Sequence, residues 1–224
     1  MNIHAEVRKM AFVKADIDKE KKQRRDQNGL TEEEFLRKYK ASDYPRPSLT
    51  VDVAMFDIAG EELKILLIRR KNHPWIGCRA LPGGFVEQDE CAEEAAAREL
   101  EEETHLKGIT FAPCGFYSTP DRDPRTWVVS RGFFAVTDGL QKAEAGDDAA
   151  EADWFTVHEE SEGNSFALVL RFAEEKIRIT GEYGVQPLTG LLQVTGAVCE
   201  DLACDHASII SDAYLALKHC REIK

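Results

Sequence analysis

Residues 84–106 carry nine acidic side chains and a single basic one, Arg98. No other segment restricts the fold as much. Residues 90–104 are strong helix formers, and Ala92, Ala95, Ala96 and Leu100 supply an apolar face, so the pattern predicts a helix packed on one side. Glu99, Glu102 and Glu103 stand at i, i+3 and i+4 and project together from one face. Like charges at that spacing destabilise a helix by roughly 0.2–0.5 kcal/mol per pair. A divalent cation reverses the sign, because hard cations such as Mg²⁺ take carboxylate oxygens. A solvated acidic face is the plainer alternative on spacing alone. The apolar strand leading in and the Gly83-Gly84 turn favour the cation, since glycine lets backbone approach a ligand closely.

The rest of the chain supplies a frame for this helix. Residues 3–25 read as a polar helix or tail, broken by Gln27-Asn28-Gly29. Thr31 followed by Glu34 is a capping box that opens a short helix through Lys40, and Pro45 and Pro47 end it. Residues 48–58 and 62–69 are apolar strands joined by a hairpin turn at Ala59-Gly60-Glu61, and residues 80–86 form a strand interrupted by glycines. Further strands are expected near 108–117, 127–136 and 152–157, with residues 166–172 and 176–180 pairing around Glu174-Glu175. Residues 205–222 close the chain as an amphipathic helix carrying Ile209, Ile210, Ala213, Leu215 and Leu217. Strands and helices without regular alternation argue for an α+β fold. The division expected is an N-terminal helical extension, 1–47, and a domain, 48–224, with an insertion near 160–200.

Charge narrows the partners. The chain of 224 residues has a formal net charge of −12; residues 1–47 hold 12 Lys/Arg and 9 Asp/Glu, the remainder 17 and 32. So acidic a body repels nucleic acid and anionic membrane unless metal ions neutralise part of it. No apolar run has the length of a membrane span and residues 1–18 lack a signal-peptide pattern. Six cysteines without a Cys-x-x-Cys pair fit reduced thiols rather than zinc or disulfides. The expectation is a cytoplasmic protein without nucleic-acid or membrane partners.

Gly84-x5-Glu90-x7-Arg98-Glu99-Leu100-x-Glu102-Glu103-x-His105-Leu106 resembles the Nudix box, G-x5-E-x7-R-E-U-x-E-E-x-G-U with U aliphatic, and departs from it where His105 replaces glycine. That glycine usually serves a left-handed helix cap, a conformation histidine tolerates better than most side chains. The Leu81-Pro82-Gly83-Gly84-Phe85-Val86 lead-in, Asp123-Pro124-Arg125, residues 145–149, Trp154-Phe155 and Asp205-His206 are similar to the ADP-ribose pyrophosphatase-like branch. The resemblance implies a Nudix-type α/β/α sandwich on a mixed sheet with a C-terminal helix. It implies that Glu99, Glu102, Glu103 and the Gly83 carbonyl bind Mg²⁺ or Mn²⁺, that Arg98 orients the glutamates and that Glu90 supports them. The reaction implied is hydrolysis of a nucleoside diphosphate derivative, with ADP-ribose giving AMP and ribose 5-phosphate as the leading case. A nucleoside triphosphate or NDP-sugar pyrophosphohydrolase, or a catalytically silent sensor or regulator, are the alternatives. The regulators of this branch carry a winged helix after the Asp-His helix, which is not expected here. A homodimer is expected by analogy.

Base and substrate contacts rest on residue chemistry. Asp148 is the candidate base, in an acidic loop shared with Asp147 and Glu151 that can equally be a solvated turn. Arg122 and Arg125 match phosphate oxygens with their guanidinium forks, or else pair with Asp121 and Asp123. Phe116 is the candidate for stacking a base, with Tyr117 and Trp127 as neighbours; packing is the commoner role of strand aromatics.

Overall fold

The computed structural model describes residues 24–58, 62–139 and 149–222. The expected first helix within 3–25, apart from its last two residues, and the turn at 59–61 lie outside them. The chain divides into two compact units, Met1–Arg46 and Pro47–Lys224. In the first, Thr31 Oγ1 accepts the Glu34 N–H and Glu34 Oε2 accepts the Thr31 N–H, so the capping box forms and opens α1 (Glu32–Lys38). A 3-10 turn at Ala41–Asp43 follows.

The second unit is built on one curled, mixed sheet. Its strands are β1 (Ser48–Asp57), β2 (Lys64–Arg70), β3 (Arg79–Ala80), β4 (Gly83–Phe85), β5 (Ala112–Tyr117), β6 (Val128–Thr137), β7 (Ala149–Glu159), β8 (Ser165–Phe172), β9 (Glu175–Val185) and β10 (Leu192–Val198). The order is β10-β9-β8-β7-β2-β1-β6-β5, with β3 on β2 and β4 on β1. Among the named strands of the described residues, β1 and β6 pair in parallel and the other strand pairings are antiparallel. Two longer helices complete it: α2 (Ala92–Thr104) and α3 (His206–Glu222).

Alternation along β1 sorts its side chains between two layers. Val51, Val53 and Met55 face α2, where Ala95, Ala96 and Leu100 are buried against them with Leu66, Phe133 and Ala135. Ala54 and Phe56 face α3, whose Ile209, Ile210, Ala213 and Leu217 close over Ile65, Leu67, Phe155 and the apolar faces of β8 and β9. Each fully buried Leu, Ile or Phe contributes about 1.5–3 kcal/mol. This is the α/β/α sandwich expected of the Nudix resemblance. Helix α2 ends at His105 with φ 60° and ψ 13°, its N–H donating to the Glu101 carbonyl at 2.8 Å, so histidine does adopt the left-handed cap.

Two elements differ from expectation. The strand read through residues 80–86 splits into β3 and β4, which pair with different partners because Pro82 stands between them. The β8–β9 hairpin forms as expected, turning at Ala173 and Glu174 between the paired Phe172 and Glu175. Beyond it, β10 adds a further strand within the 160–200 region. No helix among the described residues is long and apolar enough to cross a membrane.

Candidate active site

The glycines before α2 are required by contact rather than by flexibility. A Cβ at Gly83 would lie 2.1 Å from the Val51 carbonyl oxygen, and one at Gly84 would lie 2.2 Å from Glu99 Oε1. The first glycine lets β4 lie against β1; the second leaves room for a carboxylate. Glu103 is buried at 8% exposure and its Oε2 accepts the Gly83 N–H at 2.9 Å, tying the helix to the glycine loop. Burial, opposed by that hydrogen bond and reinforced by the charge of Glu99, pushes the Glu103 carboxyl up to about 8. Burial also raises Glu99.

Arg98 organises the remaining carboxylates. Its guanidinium donates to Glu90 at 2.7 and 3.1 Å, to Glu99 Oε1 at 2.9 Å, to Glu102 Oε2 at 3.1 Å and to the Phe85 carbonyl at 3.0 Å. These hydrogen bonds, those to Glu90 first, raise the Arg98 pKa and hold Glu90 below the usual carboxylate range. Glu102 is 59% exposed and stands outside the cleft lining. Among the described residues no three acidic, His or Cys side chains converge on one point, since Arg98 grips two of the three glutamates. The donor set nevertheless fits a hard divalent cation. It is all oxygen, it lies on one helix face beside a glycine loop, and burial raises two of its carboxyls, a shift that a cation would counter.

These groups open into a cleft of about 430 Å³. Acidic Asp52, Glu87, Glu99, Glu103 and Asp123 line it with basic Arg70, Lys71, Arg98, Arg122 and Arg125, and with the aromatic rings of Trp75 and Phe85. Trp75 sits at φ 59°, a left-handed backbone that a bulky residue adopts only where its surroundings enforce it. Here the Trp75 carbonyl accepts the Cys78 N–H at 3.1 Å, Arg70 Nε donates to the Pro74 carbonyl at 2.9 Å, and the ring packs with Ile68, Ala80 and Ala203.

The floor is a buried polar network reached from the far side of the sheet. His206, the first residue of α3, accepts the Leu81 N–H on Nδ1 at 2.9 Å, so its proton belongs on Nε2, 3.3 Å from Asp52 Oδ1. Burial holds this imidazole below its ordinary pKa and hence neutral. Asp52 also accepts the Ser130 hydroxyl.

The sequence-derived site residues separate on this geometry. Gly83, Arg98, Glu99 and Glu103 come together in the cleft, with Glu102 beside them at its surface. Arg122 lines the cleft but is only 4% exposed and forks onto Asp205, the residue just before α3, with Nε 2.8 Å from Oδ2, rather than onto Asp121 or Asp123. Arg125 pairs locally, forking onto Asp123, and lies over the Phe85 ring at 5.1 Å with 42% of its side chain exposed. Phe116 does not belong to the cleft. It is 58% exposed on edge strand β5, on the face opposite Tyr117, whose hydroxyl donates to Asp212. Trp127 is likewise exposed and outside the lining. Glu151 is held by Arg69 and Arg79, which lowers its pKa; Asp147 and Asp148 lie outside the described residues. Sequence reading missed Asp52, Arg70, Lys71, Trp75 and Phe85. The run Arg69-Arg70-Lys71 at the end of an apolar strand was the available signal.

The NUDIX domain family model matches residues 47–174. The chain is 47% identical over 123 residues to an ADP-ribose pyrophosphatase of Methanocaldococcus jannaschii, an alignment spanning 55% of this chain and 69% of that protein. It is 36% identical over 134 residues to an ADPR responsive transcriptional repressor of Acinetobacter baylyi, spanning 59% of this chain and 54% of the repressor. A crystal structure of a MutT/nudix family protein from Enterococcus faecalis superposes with a TM-score of 0.67 at 33% identity, covering 85% of this chain and 70% of that one.

Proposed function

This chain belongs to the NUDIX family, and we propose that within it the protein is a Mg²⁺-dependent pyrophosphohydrolase that splits ADP-ribose into AMP and ribose 5-phosphate. The observation that carries the reading is one cleft that combines buried Glu103 and partly buried Glu99, cationic Arg70, Lys71 and Arg125, and two aromatic rings, Trp75 and Phe85. Glu99, Glu102, Glu103 and the Gly83 carbonyl are the residues that would hold the cation. When bound, Mg²⁺ or Mn²⁺ offsets the charge of a diphosphate and makes a water molecule more acidic. Arg98 keeps Glu90, Glu99 and Glu102 on one side of the cleft. Arg125, Arg70 and Lys71 contact the diphosphate oxygens, with guanidinium forks suited to that geometry. Trp75 and Phe85 present ring faces to the adenine. Arg122 contributes by fixing Asp205, and with it His206, beneath the site. Asp148 is assigned as general base by resemblance alone.

Similarity to an ADP-ribose pyrophosphatase and to an ADPR responsive repressor supports the choice of ligand. One observation favours a second reading, a ligand sensor: Arg98 already satisfies two of the three box glutamates. A hydrolysis screen with Mg²⁺ separates the two, offering ADP-ribose beside NDP-sugars and nucleoside triphosphates with products identified by mass. AMP and ribose 5-phosphate are expected. Cleavage of another compound alone would move the substrate, and ADP-ribose binding without turnover under Mg²⁺ or Mn²⁺ would establish the sensor.

A further inference from the structure

Lys71 and Trp75 line the cleft from the loop 71–78, and Arg70 from the end of β2 just before it. Arg69 and Arg79 form the strand pair at the base of this loop. The Gly77 N–H donates to the Arg70 carbonyl at 2.9 Å, the Arg70 N–H to the Cys78 carbonyl at 3.0 Å and the Cys78 N–H to the Trp75 carbonyl at 3.1 Å. Two guanidinium groups add to these backbone bonds. Arg70 Nε donates to the Pro74 carbonyl and Arg69 Nη1 to the Gly77 carbonyl, each at 2.9 Å. Carbonyls on both sides of Trp75 are therefore held by side chains.

Arg69 itself does not line the cleft. Its guanidinium is anchored on two carboxylates, with Nε donating to Glu151 Oε2 at 2.8 Å and Nη2 donating to Glu175 Oε1. The same carboxylates grip buried Arg79, whose Nε and Nη2 fork onto Glu175 at 3.0 and 2.7 Å while Nη2 lies 2.9 Å from Glu151. Asp153 accepts from Arg79 Nη1 at 2.8 Å, and the guanidinium lies over the Phe155 ring at 5.1 Å. Glu151 belongs to β7 and Glu175 opens β9, so the anchor comes from strands that supply no side chain to the cleft. The loop has need of it. Trp75 stands at φ 59°, a backbone that a bulky residue keeps only where its surroundings over-determine it. Apolar contact with Ile68, Ala80 and Ala203 seats the ring, while the bonds to Pro74 and Gly77 fix the backbone from which it projects.

We propose that Arg69, anchored by Glu151 and Glu175, is a positioning residue for Trp75 and through it sets the affinity of the cleft for the base of the substrate. This rests on the reading of Trp75 as a ring that meets the adenine. The competing account makes Arg69 a brace of the sheet alone, and Arg79 argues against it. Because Arg79 pairs with both carboxylates, removing Arg69 leaves neither Glu151 nor Glu175 without a cation. The Gly77 carbonyl, two residues from Trp75, does lose its guanidinium donor. The consequence of removing Arg69 therefore falls on the loop.

A double-mutant cycle tests this on wild type, Arg69→Gln, Trp75→Ala and the two changes combined, with circular dichroism to verify folding. ADP-ribose affinity is read by titration calorimetry with a chelator present, so that binding is measured apart from turnover, and kcat is read at saturation with Mg²⁺. Arg69→Gln is expected to weaken binding about 3- to 10-fold with kcat close to wild type, and Trp75→Ala about 10-fold. The combined variant is expected to bind no more weakly than Trp75→Ala alone. Arg69→Lys keeps the charge but cannot reach all three acceptors as a fork does, and is expected to lie between wild type and Arg69→Gln. If Arg69→Gln does not fold, the same comparison with and without Trp75 is made on Arg69→Lys. Wild-type affinity in Arg69→Gln overturns the proposal, as do equal losses with and without Trp75. Wild-type affinity in Trp75→Ala, or no ADP-ribose binding by wild type, overturns instead the reading of the cleft on which the proposal rests.

Discussion

Replacing Gly84 by alanine separates the position of one carboxylate from the integrity of the fold. The added Cβ would lie 2.2, 2.4 and 2.7 Å from Oε1, Cδ and Oε2 of Glu99, where ordinary contact begins at 3.4 Å. The carboxylate must therefore retreat by about 1 Å, loosening its 2.9 Å hydrogen bond from Arg98. It can do so, because it is the end of a flexible side chain. A misplacement of about 1 Å in a reacting constellation costs on the order of 100-fold in rate. Gly84→Ala is thus expected to lower kcat for Mg²⁺-dependent ADP-ribose hydrolysis about 100-fold, with Tm close to wild type. Gly83→Ala is the contrast. Its Cβ meets the backbone of Val51 at 2.1 Å and of Asp52 at 2.9 Å, neither of which can rotate away. It is expected to destabilise by about 1–3 kcal/mol, at roughly 2–4 °C of Tm per kcal/mol in a domain of this size. Wild-type kcat in Gly84→Ala would refute the role given to the placement of Glu99.

Three further perturbations follow from the same geometry. Glu159 accepts hydrogen bonds from Tyr183, from Tyr214 at 2.8 Å and from Lys218 at 2.9 Å; burial alone would raise its carboxyl, but these bonds outweigh it and bring it down to about 2. A depressed carboxyl stabilises the fold above its unfolded value of 4.5, and that contribution fades as pH falls toward 2. The Tm gap between wild type and Glu159→Gln should therefore narrow as melts are taken from about pH 7 to about pH 3; a constant gap would contradict the assignment. His105→Gly relieves a side chain at positive φ and is expected to raise stability by up to about 1 kcal/mol, read by urea titration, less the greater freedom of glycine in the unfolded chain. His206→Ala leaves the buried Leu81 N–H without its acceptor, and denaturant unfolding should show a loss of about 1–3 kcal/mol from that group, with the cavity adding more.

What could be read in advance divides along physical lines. Local patterns were legible: the Thr31 capping box, the α2 face with its glutamates, the β8–β9 hairpin and the apolar set of α3 each depend on residues a few positions apart. The capacity of His105 for a left-handed cap was legible for the same reason. What escaped reading was set by distant partners. Arg122 had aspartates beside it at 121 and 123, yet its partner is Asp205, 83 residues away, because α3 begins beneath the cleft. Trp75 sits in a loop without periodicity, and its position comes from contacts with Ile68, Ala80 and Ala203. Phe116 falls outside the cleft lining because the strand parity that turns Tyr117 toward Asp212 turns its neighbour to the opposite, exposed face of the strand. The glycine pair shows both cases at once: its presence was read as close approach, but only the structure identifies Val51 and Glu99 as the groups approached.

The central claim is that the glutamates of α2 make this cleft a metal-dependent pyrophosphohydrolase site. The most direct measurement is ADP-ribose hydrolysis against Mg²⁺ concentration in wild type and in Glu102→Gln with Glu103→Gln, with circular dichroism on both. The account predicts saturable Mg²⁺ activation in wild type and loss of turnover in a folded double variant. Wild-type rates in that variant would contradict it.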